Sequence, residues 1–368
     1  MSSSQPLSAK TALGRLPVLK SPRILGNWVL WLEQRPHEKG RTTAMIRPWL
    51  QTDATAKELT AAPANLRCRI HEYGGGAMAV ALMGDNLLLT WIDDGDGCLW
   101  QQTWRGLGSE DCAALTAKQP IRISAPGSWA LGGGLIDQTR LRWLGVMECN
   151  GRDQLVSVAL NQSDQHPKVL HAADDFVGYP ALSADGSQLA WVEWRQPAMP
   201  WDASELRCAC LSPEGQLMQV QTLAGSRPDA EQAISVFQPL WQPDGSLIVA
   251  EDSSGWWNLM RLADPASGKR NWERPWPMQA ETAMPQWVFG MSTSAWDGEQ
   301  LLAAICSEGR WELKQLRGDG TILSLDQPFD DLADLHADAG RAVVIASSSH
   351  LGQGLLELEL STGDWQHT

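Results

Sequence analysis

The stretch WQPDGSLIVAEDSSGWWNLMRL, Trp241 to Leu262, reads as strand, tight turn, strand, loop, strand, and its reading decides the fold. Pro243, Asp244 and Gly245 supply the turn. Proline pre-sets φ, aspartate bonds its own backbone, and glycine takes the left-handed position before the next strand. Leu247 to Ala250 is a short apolar run, the mark of a strand covered on both faces. Ser253 to Gly255 break it, and Trp256 to Leu262 resumes as a strand. One such sheet cannot bury both of its faces, so it needs neighbours of its own kind.

The same turn, apolar strand, loop and second strand recur along the chain. Ala184-Asp185-Gly186 precedes Leu189 to Val192 with Glu205 to Leu211 as partner, and Gly84-Asp85-Asn86 precedes Leu87 to Trp91 with Cys98 to Gln101 beyond. Asp297-Gly298 precedes Leu301 to Ile305 and Trp311 to Leu316, and Asp338-Ala339-Gly340 precedes Ala342 to Ala346 and Leu355 to Leu360. Two weaker copies are Gly26-Asn27 before Trp28 to Leu32, and Asp137-Gln138 before Leu141 to Val146 and Leu155 to Leu160. The turns return every ~40 to 60 residues, the range of propeller blades. Seven copies predict an all-β fold, a seven-bladed β-propeller of four-stranded antiparallel blades. Residues 1–20 read as a polar tail and 21–368 as a single propeller domain. Blade one is expected from Pro22 to Pro48, followed by a polar crossover from Gln51 to Ala64.

Composition narrows the alternatives. The 33 glycines and 21 prolines spread through 368 residues suit many turns and few long helices. Twenty tryptophans against two tyrosines and four phenylalanines fit indoles wedged between stacked sheets. The net charge of −14 excludes non-specific nucleic-acid binding, which needs clustered Lys and Arg. The N-terminus lacks the apolar core of a signal peptide, and no run of ~18 apolar residues predicts a membrane span. A soluble, cytoplasmic protein is expected. Seven cysteines without framework spacing fit a reducing compartment. Cys208 and Cys210 lie on one face of a strand, with no further local ligands for zinc. Asp93-Asp94-Gly95-Asp96-Gly97 lacks the spacing of a calcium loop and reads as a solvated hairpin tip. Neither metal nor cofactor is expected.

Two stretches stand out as functional. In RIHEYGGGA, Arg69 to Ala77, three successive glycines before a strand mark a place where backbone passes close to something else. The packed propeller centre would satisfy that. So would a central cavity receiving Arg67, Arg69, Glu72 and Tyr73. The loop from Glu193 to Asp202 is longer than a hairpin needs and mixes indole, thioether and charge, which suits a contact surface carrying Trp194, Trp201 and Asp202. Trp256 and Trp257 are further candidates for a substrate- or partner-facing role.

At HEYGGGA the sequence resembles the N-terminal propeller of serine peptidases of the prolyl oligopeptidase family (S9), in its bacterial and cyanobacterial acylaminoacyl-peptidase and dipeptidyl-aminopeptidase-like branch. The resemblance continues, in order, through Leu182 to Gly186, Trp194 to Leu206, Trp241 to Gly245, Ser254 to Leu259 and Pro285 to Gly290. It implies a propeller that caps an α/β-hydrolase domain and restricts entry to modest peptides, so the expected partners are a peptide ligand and a hydrolase domain or chain. The family's Ser, Asp and His belong to that second domain. G-x-S-x-G is absent here, and Ser347-Ser348-Ser349-His350 follows a strand instead of opening a helix, so no catalytic residue is assigned. Met78 and Arg207 stand where the family commonly carries aromatics, a departure at the expected cavity. Three functional readings follow: a non-catalytic propeller that binds or gates peptides or docks a hydrolase domain, a freestanding interaction scaffold, or the non-catalytic subunit of a split peptidase.

Overall fold

The computed structural model describes residues 16–160 and 162–368. They form seven antiparallel sheets, each built from consecutive strands. Blade 1 comprises β1 (Val18–Leu25), β2 (Trp28–Arg35), β3 (Arg41–Pro48) and β4 (Lys57–Glu58). Blade 2 comprises β5 (Met78–Met83), β6 (Asn86–Ile92), β7 (Leu99–Arg105), β8 (Thr116–Ala117) and β9 (Ile121–Arg122). Blade 3 has β10 (Ala130–Asp137), β11 (Arg142–Cys149), β12 (Arg152–Ala159) and β13 (Lys168–Ala172), and blade 4 has β14 (Phe176–Leu182), β15 (Gln188–Trp194), β16 (Glu205–Leu211) and β17 (Leu217–Gly225). Blade 5 has β18 (Val236–Trp241), β19 (Leu247–Glu251), β20 (Asn258–Leu262) and β21 (Trp272–Glu273), and blade 6 has β22 (Ser294–Trp296), β23 (Leu301–Ser307), β24 (Arg310–Leu316) and β25 (Ile322–Ser324). Blade 7 has β26 (Asp331–Asp338), β27 (Arg341–Ser347), β28 (Gly354–Glu359) and β29 (Trp365–His367).

The repeating turn marks the hairpin from first to second strand, and the apolar run after it is the second strand, covered on both faces as its composition requires. Several boundaries differ from the sequence reading, among them the strand read as Cys98 to Gln101, which runs Leu99–Arg105. Blade 1 extends beyond Pro48 through Glu58, because β4 lies inside the polar stretch read as a crossover and is too short to show a period of two. The third strand of blade 5 starts at Asn258, not Trp256. In blade 2 the outer position is divided, β8 pairing with one end of β7 and β9 with the other. Of the stretch 1–20 read as a tail, residues 1–15 lie outside the described part, and Val18 to Lys20 are paired in β1. No helix among the described residues is long and apolar enough to cross a membrane.

Indoles fill the core as their number implies. Trp28, Trp91 and Trp191 are fully buried, and the Trp143 ring lies so flat that a Cβ on Gly134 or Gly145 would fall 2.1 or 2.2 Å from it. The first strands of five blades share a bulge, with register shifts after Lys20, Gly132, Gly178, Phe237 and Ala333. At each bulge one residue takes positive φ: Ser21, Gly133, Tyr179, Gln238 and Asp334. The kink aims side chains at neighbouring segments. Gln238 Oε1 accepts the Thr293 N–H at 2.8 Å, and the Tyr179 hydroxyl donates to the Val288 carbonyl at 2.6 Å.

Among the described residues no strand is exchanged between blades 1 and 7, and side chains close the ring. Ile24, Val29, Trp31, Met45 and Trp49 pack on Val343, Ile345 and Leu355. Beside them Arg47 and Glu357 form a buried ion pair, and Glu357 Oε2 also accepts the Leu50 N–H at 2.9 Å. Asp334 Oδ2 accepts the Ser21 N–H at 2.9 Å, and His336 Nδ1 accepts that of Ile24 at 3.2 Å.

Candidate functional site

In an up-and-down blade, the loops from second to third strand emerge on the same side as the links to the next blade. Two of those links, residues 59–77 and 274–293, cross the propeller mouth and meet. Gly75 and Phe289 pair as a parallel bridge. A Cβ on Gly75 would sit 2.5 Å from both the N and the O of Phe289, and one on Gly76 would sit 2.7 Å from Gly133 Cα. The Phe289 ring is seated against Gly133 and Gly178, where a Cβ would come within 2.8 and 2.6 Å of it. Close packing at the centre therefore accounts for the three glycines. Burial pushes the Cys68 thiol under this crossing up to about 11, and it donates to the Gly75 carbonyl at 3.0 Å.

His71 and Glu72, just before the glycines, both hold positive φ, +50° and +63°. Backbone strain of this kind persists only where the surroundings enforce it. Here it turns His71 inward, where Nε2 lies 2.8 Å from Asp153 Oδ2 and the ring meets Phe176, Trp194 and Phe289 edge-on at 5.5, 6.0 and 5.2 Å. Asp153 is fully buried and also accepts the Val177 N–H at 3.0 Å. Burial holds its carboxyl above the usual carboxylate range, with the His71 hydrogen bond opposing.

His71 and the three rings around it line a cleft of about 350 Å³, with Asp153 buried behind His71. Phe176 and Trp194 stack at 5.5 Å on one side, and Trp201 and Trp287 lean together at 4.4 Å on another. Glu72 and Glu148 supply carboxylates. Glu148 Oε2 accepts the His71 N–H at 2.7 Å, and neither acid has a cationic side-chain partner among the described residues. The loop bearing Trp201 is anchored at its root by Arg195, which donates to Asp174 at 2.7 Å and pairs with Glu205.

The structure thus gathers Glu72, Tyr73, Trp194 and Trp201 into one cleft. Arg67 lies in an adjoining cavity behind Tyr73. Arg69 is drawn away from the centre by Asp94 at 2.9 Å. Asp202 does not line the cleft: it closes a turn, accepting the Met199 N–H at 2.9 Å. Trp256 and Trp257 also lie outside it. Trp256 is exposed on the blade 5 loop, while Trp257 packs in the core between blades 5 and 6. His71, Trp287 and Phe289 sit within motifs quoted above without being read as site residues. Glu148 and Phe176 carry no sequence signal, since only the ring arrangement of blades 3 and 4 brings them to the mouth. Among the described residues no three His, Cys, Asp or Glu side chains converge as metal ligands would.

No family model matches the sequence, and no curated protein matches it. Among solved structures, a puromycin-hydrolyzing peptidase of Mycobacterium tuberculosis is 25% identical at a TM-score of 0.83, over 96% of this chain and 53% of its own. A puromycin hydrolase, solved also in complex with PGG, is 27% identical at a TM-score of 0.85, over 99% of this chain and 56% of its own. The chain spans about half the length of these two enzymes. The propeller domain of the Trilobed protease from Pyrococcus furiosus, described as having an open velcro topology, is similar in fold alone, with 9% identity, a TM-score of 0.57, and 96% and 97% of the two chains covered.

Proposed function

We propose that this chain, whose structural neighbours are the propeller domains of prolyl oligopeptidase-family peptidases, is a non-catalytic propeller that binds and gates short peptides beside an α/β-hydrolase domain or chain. One observation carries the reading: the side-chain groups suited to a peptide converge on one face. Tyr73 is 72% exposed and Trp287 55%, and both line the cleft where the two links cross. Exposed apolar groups clustered in this way mark a surface made to be covered. Aromatic walls stack on peptide bonds and side chains, and the carboxylates of Glu72, which is exposed, and Glu148, which is half-buried, attract a peptide's α-ammonium group.

Isothermal titration of the chain with trialanine and N-acetyl-trialanine tests this. The free amine is expected to bind and the acetylated form to bind at least about tenfold more weakly, about 1.4 kcal/mol. Glu148→Gln keeps the acceptor for the His71 N–H but removes the charge, and is expected to erase most of that preference. Absence of binding to either peptide, together with recovery of a stable partner lacking a hydrolase fold, would replace this reading with the interaction scaffold.

A further inference from the structure

Behind Tyr73, on the far side of the wall made by Val288 and Phe289, lies a second cavity of about 370 Å³. Its charge is opposite to that of the aromatic cleft. Lys20 and Arg67 line it, and neither ammonium nor guanidinium has a carboxylate partner among the described residues. The carboxyl that lines it, Asp334, is half-buried, accepts the Ser21 N–H, and is attracted to Arg23 as well as to Lys20 without forming a direct ion pair with either. Both cations are rooted in fixed backbone: Lys20 pairs with Leu32 in blade 1, and the Arg67 N–H donates to the Ile92 carbonyl at 3.1 Å. Neither head is held in an ion pair, while both stems are held.

We infer that this cavity is a carboxylate subsite, in which Lys20 and Arg67 receive the C-terminal carboxylate of a short zwitterionic peptide whose ammonium end lies at Glu72 and Glu148. The inference rests on the peptide-binding reading above and names the substrate class more narrowly. A simple anion is disfavoured twice, by the net charge of −14 and by the two carboxylates next door. A ligand carrying both charges satisfies both cavities at once. The cavities share Tyr73, Val288 and Phe289 as a common wall, so they are neighbours and not separate sites. An extended tripeptide spans roughly 10 Å, the scale of two adjoining cavities of this size. Tyr73, exposed and lining both cavities, is where the peptide's middle residue would pass from one to the other.

The experiment compares trialanine as the free acid and as the C-terminal amide, titrated at low salt into the intact chain. The free acid is expected to bind at least tenfold more tightly. Arg67→Gln and Lys20→Gln, made separately, are each expected to shrink that ratio to about threefold or less while leaving affinity for the amide within about twofold. Both side chains are exposed and without ion-pair partners, so these variants keep the fold, and circular dichroism verifies it. Equal affinity for acid and amide, or an undiminished ratio in both variants, overturns the subsite while leaving the peptide reading intact. Failure of both forms to bind overturns the peptide reading and the subsite with it.

Discussion

Replacing Gly75 by alanine tests the crossing at the mouth most directly. The new Cβ would lie 2.5 Å from the backbone N and O of Phe289 and 2.9 Å from Val288 Cβ. Ordinary contact requires about 3.5 Å, so the link through Phe289 must retreat by roughly 1 Å. The neighbouring atoms are backbone, which cannot rotate away as a flexible side chain would. Gly75 also holds φ of +101°, beyond the left-handed well open to L-residues. Strain of about 1–3 kcal/mol and overpacking of about 1–3 kcal/mol act together, giving an expected loss of roughly 2–6 kcal/mol. Gly84→Ala is the control: φ there is +60° and nothing lies within 4 Å of the added methyl, so it bears only the left-handed cost of about 1–2 kcal/mol. Urea unfolding followed by tryptophan fluorescence gives both values from midpoints and slopes. Peptide titration gives a second readout, because the retreat moves Phe289 away from His71 and opens the cleft floor. If Gly75→Ala loses no more stability than Gly84→Ala, the two links do not hold each other as described.

The ring closure yields two further predictions. Glu357→Ala strands the buried Arg47 guanidinium and removes the acceptor for the Leu50 N–H; breaking a buried pair typically costs about 3–5 kcal/mol. A urea midpoint matching that of the native chain would show that the ring closes without help from this ion pair. His336 titrates about 3 because burial and the Arg23 guanidinium oppose its protonation, whereas unfolded His titrates near ~6.5. Its contribution to stability is therefore complete above ~6.5 and is lost as pH falls toward 3, by up to about 1.4 kcal/mol per pH unit. Asp334, whose carboxyl is raised by burial, works in the opposite sense, contributing in acid and losing that contribution as pH rises. His336→Asn keeps an acceptor for the Ile24 N–H and is expected to flatten the acid limb of the stability profile; an unchanged limb would assign it to other groups.

The blades were legible because their signal is local. Asp244-Gly245 and Asp185-Gly186 each fix a hairpin within a few residues, and the apolar run that follows needs no long-range information to read as a doubly covered strand. Glu205 to Leu211 was bounded correctly for that reason. The two-residue outer strands, such as Lys57–Glu58, carry too few residues to alternate, so the first blade looked shorter than it is. The inner bulges left no common mark. Ser21, Tyr179, Gln238 and Asp334 share a backbone conformation without sharing a chemistry, since each is chosen by what the next segment offers it to bond.

The candidate site was legible by half, and the dividing line is physical. Gly74-Gly75-Gly76 announced that something passes close by, because repeated glycine has a cost that only proximity offsets. The sequence could not say what, since the passing residue is Phe289, more than two hundred positions away and brought near only when the ring closes. The same dependence reaches the function. The cleft exists where the links from blades 1 and 5 cross, Glu148 and Phe176 enter it from blades 3 and 4, and Lys20 reaches its neighbouring cavity from blade 1 across the seam with blade 7. A ligand bridging both cavities touches elements on both sides of the crossing. Its binding would therefore stabilise the closed ring by mass action, and a saturating peptide is expected to raise the urea midpoint of the Glu357→Ala chain at least as much as that of the native one. A rise confined to the native chain would mean that the cleft forms only after the seam is fully sealed, and that the two are a single cooperative unit.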